Sequence, residues 1–114
     1  MSQKTIIRKP LLSVPLQHTN VTSVEVREIS FEPGQETGRH LHPCPVVGHI
    51  AEGTAVIQVE GQDPQYLETG SAFYEPAATV IAHFDNASAT KPMKFVAYYL
   101  LNGDQQLIEM LPAR

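Results

Sequence analysis

Two histidines separated by one residue, His40 and His42, carry the chemistry most readily read from this chain. They follow a glycine-bearing stretch, Gly34-Gln35-Glu36-Thr37-Gly38-Arg39, and precede Pro43. On a strand, residues i and i+2 project from the same face, so one face offers two imidazoles to a single ion. Neutral imidazole nitrogen suits iron, manganese, nickel, copper and zinc, and a pair held by an extended backbone is already oriented to chelate. Two ligands give only half of a closed tetrahedral site, so other donors have to join them. Cys44, the only cysteine, lies two residues further on and is read first as a small buried hydrophobe, with ligand or nucleophile as the sharper alternative.

The elements that must position this pair are short. Nine prolines and seven glycines punctuate the sequence, and runs rich in Val, Ile, Phe, Tyr and Thr lie between them. Val24 to Phe31 ends at Pro33-Gly34, Ala55 to Val59 ends at Glu60-Gly61, and Phe95 to Leu101 is almost free of polar residues. Many short strands without intervening helical segments predict an all-β, antiparallel domain, a closed jelly roll or a sandwich. Residues 1–20, broken by Pro10 and Pro15, read as an arm with edge-strand character around Ile6-Ile7 and Leu11-Leu12, and residues 21–114 as one barrel domain. Near the C-terminus, Leu107, Ile108, Met110 and Leu111 fit either a turn of amphipathic helix or a last strand.

Composition limits the partners. At 114 residues the chain has the length of one domain with one core. Twelve carboxylates against eight scattered Lys and Arg give a net charge of -4, with no basic patch to follow a phosphate backbone, so nucleic acid is not expected. No apolar run is long enough for a membrane span and no signal-peptide pattern follows Met1, so a soluble, cytoplasmic protein is expected. A single cysteine allows no intrachain disulfide, in keeping with a reducing compartment. No glycine-rich phosphate loop opens a helix, and nothing like a nucleophile elbow surrounds Ser71.

The spacing of Gly34, His40, His42 and Gly53 resembles the first motif of the cupin family: Gly, five residues, His-x-His, three or four residues, Glu, six residues, Gly. Gly70 and Pro76 match the start of its second motif: Gly, five residues, Pro, x, Gly, two residues, His, three residues, Asn. The resemblance spans roughly residues 24 to 101. It implies a cupin-type jelly-roll barrel (a double-stranded β-helix), often a homodimer, with a divalent transition metal held inside by three His and one Glu. Carried over residue by residue, His40 and His42 match the first two ligands, while the Glu falls at Val46 and the last His at Ile81. Asp85 falls at the Asn position and reads as structural.

Two aliphatic residues at ligand positions direct attention to nearby donors. His83 lies two residues past Ile81, on the same face of an unbroken strand and about 6–7 Å further along, and a bulge there would shift it toward the metal. Gln58, the polar residue in an apolar run, is a weak ligand or a substrate contact if it faces inward, and otherwise an edge residue in solvent. His49, just before Ile50, is a core or interface histidine or a further ligand. Two functions follow. One is a metal-dependent enzyme acting on a small organic molecule, with His40, His42 and His83 as ligands and dioxygenase-, isomerase- or decarboxylase-like chemistry, which the fold alone does not separate. The other is a metal-poor ligand-binding or sensing dimer in which Val46 and Ile81 pack as core. A homodimer is expected in both, from the apolar Phe95 to Leu101 strand and the arm.

Overall fold

A computed structural model describes residues 4–113 of the chain. Nine strands follow in order: β1 (Ser23–Phe31), β2 (His40–Leu41), β3 (Val46–Glu52), β4 (Ala55–Val59), β5 (Gln65–Leu67), β6 (Ala72–Glu75), β7 (Ile81–Asn86), β8 (Met93–Leu101) and β9 (Glu109–Met110). They form two antiparallel sheets, β1-β8-β3-β6 and β5-β4-β7-β2-β9, whose chain crosses repeatedly from one to the other. This is the expected all-β jelly-roll barrel. Among the described residues there is no helix, and so none long and apolar enough to cross a membrane.

Strict alternation builds the barrel wall. Along β8, Met93, Phe95, Ala97, Tyr99 and Leu101 are buried, while Lys94, Val96, Tyr98 and Leu100 between them are half-buried on the opposite face. Phe31, Phe73, Phe84 and Phe95 meet inside, with Phe84 and Phe95 ring centroids 4.5 Å apart and Phe73 and Phe84 5.0 Å apart. Close approach of the strands depends on Gly48 in β3: a Cβ there would meet the Val96 carbonyl oxygen at 2.2 Å and the Phe73 ring at 2.6 Å. Cys44 is fully buried in this core, and burial pushes its thiol up, as its inert reading requires.

The C-terminal alternative resolves to a strand: β9 pairs with β2, Met110 opposite His40. The described part of the arm shows no strand: residues 4–22 have no strand assignment, Thr22 N–H donates to the Leu101 carbonyl at the end of β8, and Ile6, Ile7, Leu11 and Leu12 are exposed. A Cα radius of gyration of 15.6 Å, against about 13 Å for a compact chain of this length, reflects that extension.

One turn fixes the end of β6. In Pro76-Ala77-Ala78-Thr79, Thr79 N–H donates to the Pro76 carbonyl, and Ala78 takes φ 59°, at the position where the second motif has glycine. The Ala78 N–H donates to the carbonyl of His42 at 2.8 Å, tying this turn to the histidine pair. An alanine in the left-handed region costs about 1–2 kcal/mol. Ala78→Gly should therefore stabilise the protein by up to about 1 kcal/mol after the extra unfolded-state entropy of glycine, and Gly48→Ala should destabilise it by about 1–3 kcal/mol through overpacking. Urea denaturation of both variants checks this; a destabilising Ala78→Gly would show that the turn is not held as described.

Candidate metal centre

His40 lies in β2, His42 just beyond it, and Glu75 at the end of β6. The expected common face of His40 and His42 is realised: both rings enter the barrel and both residues are no more than 5% exposed. Each ring has a fixed outer nitrogen. His40 Nδ1 lies 2.8 Å from the Gly38 carbonyl oxygen and His42 Nδ1 2.6 Å from that of Leu107. A carbonyl only accepts, so both Nδ1 atoms carry the proton and both Nε2 atoms of the neutral rings carry a lone pair.

Those lone pairs converge on a carboxylate. Glu75 Oε2 is 2.6 Å from His42 Nε2 and 3.5 Å from His40 Nε2, and Glu75 is 3% exposed. No N–H reaches Oε2 with hydrogen-bond geometry, which makes it an orphaned buried oxygen. Burial opposes charge on His40, but the Glu75 carboxylate, which would accept from the charged ring, and the Gly38 carbonyl outweigh it and raise the ring above its usual pKa. At Glu75 burial would raise the carboxyl, and the two histidines outweigh it and lower it. The cluster thus demands a positive charge at one point, from a proton or from a cation. Three ligand atoms within 4.8 Å of one another, two imidazole and one carboxylate, fit a divalent transition metal with positions left open for a ligand. The carbonyls behind the rings orient them as supporting partners of metal-binding histidines do.

Glu75 is the residue that sequence reasoning missed. The carboxylate expected of the first motif is absent at Val46, yet Val46 and Glu75 are direct partners across β3 and β6. The barrel therefore receives its carboxylate one rung away, from the neighbouring strand. A signal was present: Phe73 and Glu75 share a face by period two, and an apolar Phe73 directs Glu75 inward.

The other candidates are placed elsewhere. His83 is not brought to the pair. Pairing slips between Gln58↔His83 and Val59↔Ile81, so a bulge at Ala82 breaks the alternation and turns His83 outward, its side chain 51% exposed. There its Nδ1 lies 2.9 Å from Asp85 Oδ2, near Glu36, in a surface cluster where that hydrogen bond satisfies the ring nitrogen. Gln58 faces outward and donates to the Gln62 carbonyl at 2.8 Å, away from the pocket. His49 lies on the outer face of the β1-β8-β3-β6 sheet beside Tyr98, ring centroids 6.2 Å apart, and lines no pocket. Ile81, opposite His40 and fully buried, packs as core, while Val46 lines the cavity. Asp85 and Asn86 bond the backbone, Asp85 accepting from Thr37 N–H and Asn86 donating to the Glu32 and Lys91 carbonyls.

The cluster opens into a cavity of about 340 Å³ shared with the aromatic core. Tyr99 lines it with its ring edge-on to His42 at 5.8 Å; burial, then the charge of Glu75, keeps its hydroxyl protonated.

The profile of the cupin domain family matches residues 27–99. Similar solved structures include the DMSP lyase DddQ from Ruegeria pomeroyi DSS-3, with TM-score 0.66, 18% identity, 77% of this chain and 43% of that chain covered. An oxalate oxidase in complex with the substrate analogue glycolate aligns at TM-score 0.66 and 18% identity over 77% of this chain and 46% of that one. A cupin-like protein from Thermotoga maritima aligns at 0.65 and 22% over 79% and 65%. The chain spans less than half the length of the lyase and the oxidase. Among curated proteins none matches.

Removing the carboxylate separates a ligand from a structural ion pair. Glu75→Gln should lower zinc affinity, measured by competition with a chromophoric chelator, by at least about 100-fold, the upper end of what loss of a supporting partner costs. Metal-free stability should hold or rise, because the amide can donate to an Nε2 lone pair. His83→Ala should leave zinc affinity unchanged; a large loss there would restore His83 to the site.

Proposed function

The chain belongs to the cupin domain family, and from that premise we propose that it is a metal-dependent enzyme acting on a small organic molecule held in the barrel. The observation that carries this reading is the orphaned Glu75 Oε2, facing two imidazoles that in their neutral form present only lone pairs. The ligands are His40, His42 and Glu75. Iron, manganese, nickel, copper or zinc bound there supplies Lewis acidity toward an oxygen of the substrate.

The chain's own residues do the rest. Gly38 and Leu107 carbonyls hold the imidazoles in one tautomer and orientation. Phe73, Phe84 and Phe95 exclude water from the inner end of the cavity. Tyr99, with its hydroxyl protonated, offers an O–H donor to a substrate oxygen. Dioxygen, isomerisation and decarboxylation chemistry all suit such a site. The competing reading, a metal-free ligand-binding or sensing dimer, is favoured by one observation: Ile81, opposite His40, closes the fourth ligand position with an aliphatic side chain.

Homodimerisation belongs to either reading. Outward-facing Val24, Val26, Val47, Val96, Tyr98 and Leu100 give the β1-β8-β3-β6 sheet an apolar outer face, where a solvated antiparallel sheet carries polar residues. A second copy supplies both a matching face and an apolar arm.

Elemental analysis of protein purified without a His-tag, after growth with added iron, manganese, nickel, copper and zinc, should find close to one metal per chain, abolished in His40→Ala with His42→Ala. Metal near zero would sink the enzyme reading in favour of the metal-free one. Light scattering at micromolar concentration should give a dimer that Val26→Asp shifts toward monomer; a wild-type monomer would contradict the interface.

A further inference from the structure

The lining of the cavity around the cluster carries carboxylates and aromatic rings. Its residues include five aromatic rings, Phe31, Phe73, Phe84, Phe95 and Tyr99, and two carboxylates, Glu75 inside and Glu36 among the lining residues, but among the described residues no lysine or arginine. Small-molecule sites for carboxylates and phosphates ordinarily supply a guanidinium or ammonium, because an unpaired anion is costly to take out of water.

Among the described residues, every lysine and arginine stands outside that lining. Arg39 makes a two-pronged pair with Glu60 at 2.9 and 3.1 Å. Lys94 lies on the opposite face of β8 beside Glu28, and Lys4, Arg8 and Lys9 lie on the exposed arm. Arg27, which shares the inward face of β1 by register, is paired with Glu25 and lies outside the lining. A ligand carrying two negative charges would add to the buried charge of Glu75, and the exposed Glu36 would add a weaker, solvent-screened repulsion. Even a divalent cation at the cluster, already offset by one carboxylate, would leave such a ligand uncompensated.

From the aromatic lining, the missing cation and the volume, we infer that the natural substrate is an uncharged, oxygen-bearing aromatic molecule, and that dianionic acids are excluded. The 340 Å³ chamber holds about eleven water-sized groups at ~30 Å³ each, which fits one ring and a short oxygenated side chain. The ring packs among the phenylalanines at edge and offset geometries, and the oxygens point to the histidine-carboxylate cluster. This rests on the proposed role of the cavity as a substrate site, and it names the class that site takes.

Two probes with equal numbers of non-hydrogen atoms test it: benzoylacetone, uncharged, and phthalate, a dianion. Calorimetry with both, on metal-free and on zinc-loaded protein, should show benzoylacetone bound at least tenfold tighter than phthalate in each form, the metal-free form carrying the comparison of charge because zinc takes benzoylacetone as its enolate anion. Phthalate binding as tightly as benzoylacetone in the loaded protein would overturn the inference while leaving the metal site standing. Failure of the protein to take up zinc, with benzoylacetone still preferred by the metal-free form, would sink the metal reading and support the charge selection. Binding of neither probe at millimolar concentration would overturn it. Two variants fix the location. Ile108→Trp, at a partly exposed lining residue, should weaken benzoylacetone tenfold or more without changing metal content. Gln35→Arg, at the exposed lining residue Gln35, should narrow the preference over phthalate by tenfold or more; no change in either variant would place the binding outside this cavity.

Discussion

A buried carboxylate that faces two lone pairs is the constraint on which the barrel's interior depends. Glu75 Oε2 lies buried 2.6 Å from His42 Nε2, an arrangement that repels with both rings neutral unless a positive charge sits between the groups. Four separate segments hold it there. Gly38 fixes one ring, the chain at Leu107 fixes the other, β6 delivers the carboxylate, and the turn at Ala78 ties β6 back to His42. A site assembled from four segments responds to a shift in any of them, which is why the C-terminal strand β9, only two residues long, matters beyond its size.

The geometry also shows how a carboxylate reaches two buried histidines from a neighbouring strand. On adjacent antiparallel strands, directly opposed residues stand about 4.5–5.5 Å apart, so a carboxylate lost from one strand can be replaced from its partner without moving the backbone. Val46 and Glu75 are such a pair. The reverse occurs at His83, where one extra residue in β7 moves a histidine from the inner face to solvent and leaves Ile81 as the inward neighbour of His40.

Core and cavity share walls. Phe73, Phe84 and Phe95 pack against one another to hold the two sheets and also line the chamber beside the histidines. The lining is therefore tied to stability: replacing these rings to reshape the cavity from within also cuts into the aromatic core. The mouth, formed in part by Gln35 and Ile108, is the region where selectivity can vary without that cost.

Turn residues at regular intervals, the strand composition and the spacing of Gly34, His40, His42, Gly53, Gly70 and Pro76 were enough to define an all-β barrel and two inward imidazoles, because period-two alternation and turn chemistry are local properties. They also marked Cys44 as core. Neither the third ligand nor the character of the cavity is local. Glu75 joins the two histidines only through the β3-β6 register, His83 is kept from them by a bulge in the β4-β7 pairing, and the lack of a lysine or arginine among the described lining residues follows from strand alternation at Lys94 and from the carboxylate partners of Arg27 and Arg39. The sequence by itself determined which side chains could face inward; tertiary structure decided which of them meet, because strand register and bulges are set by pairing across the chain and a one-residue slip exchanges the two faces of a sheet.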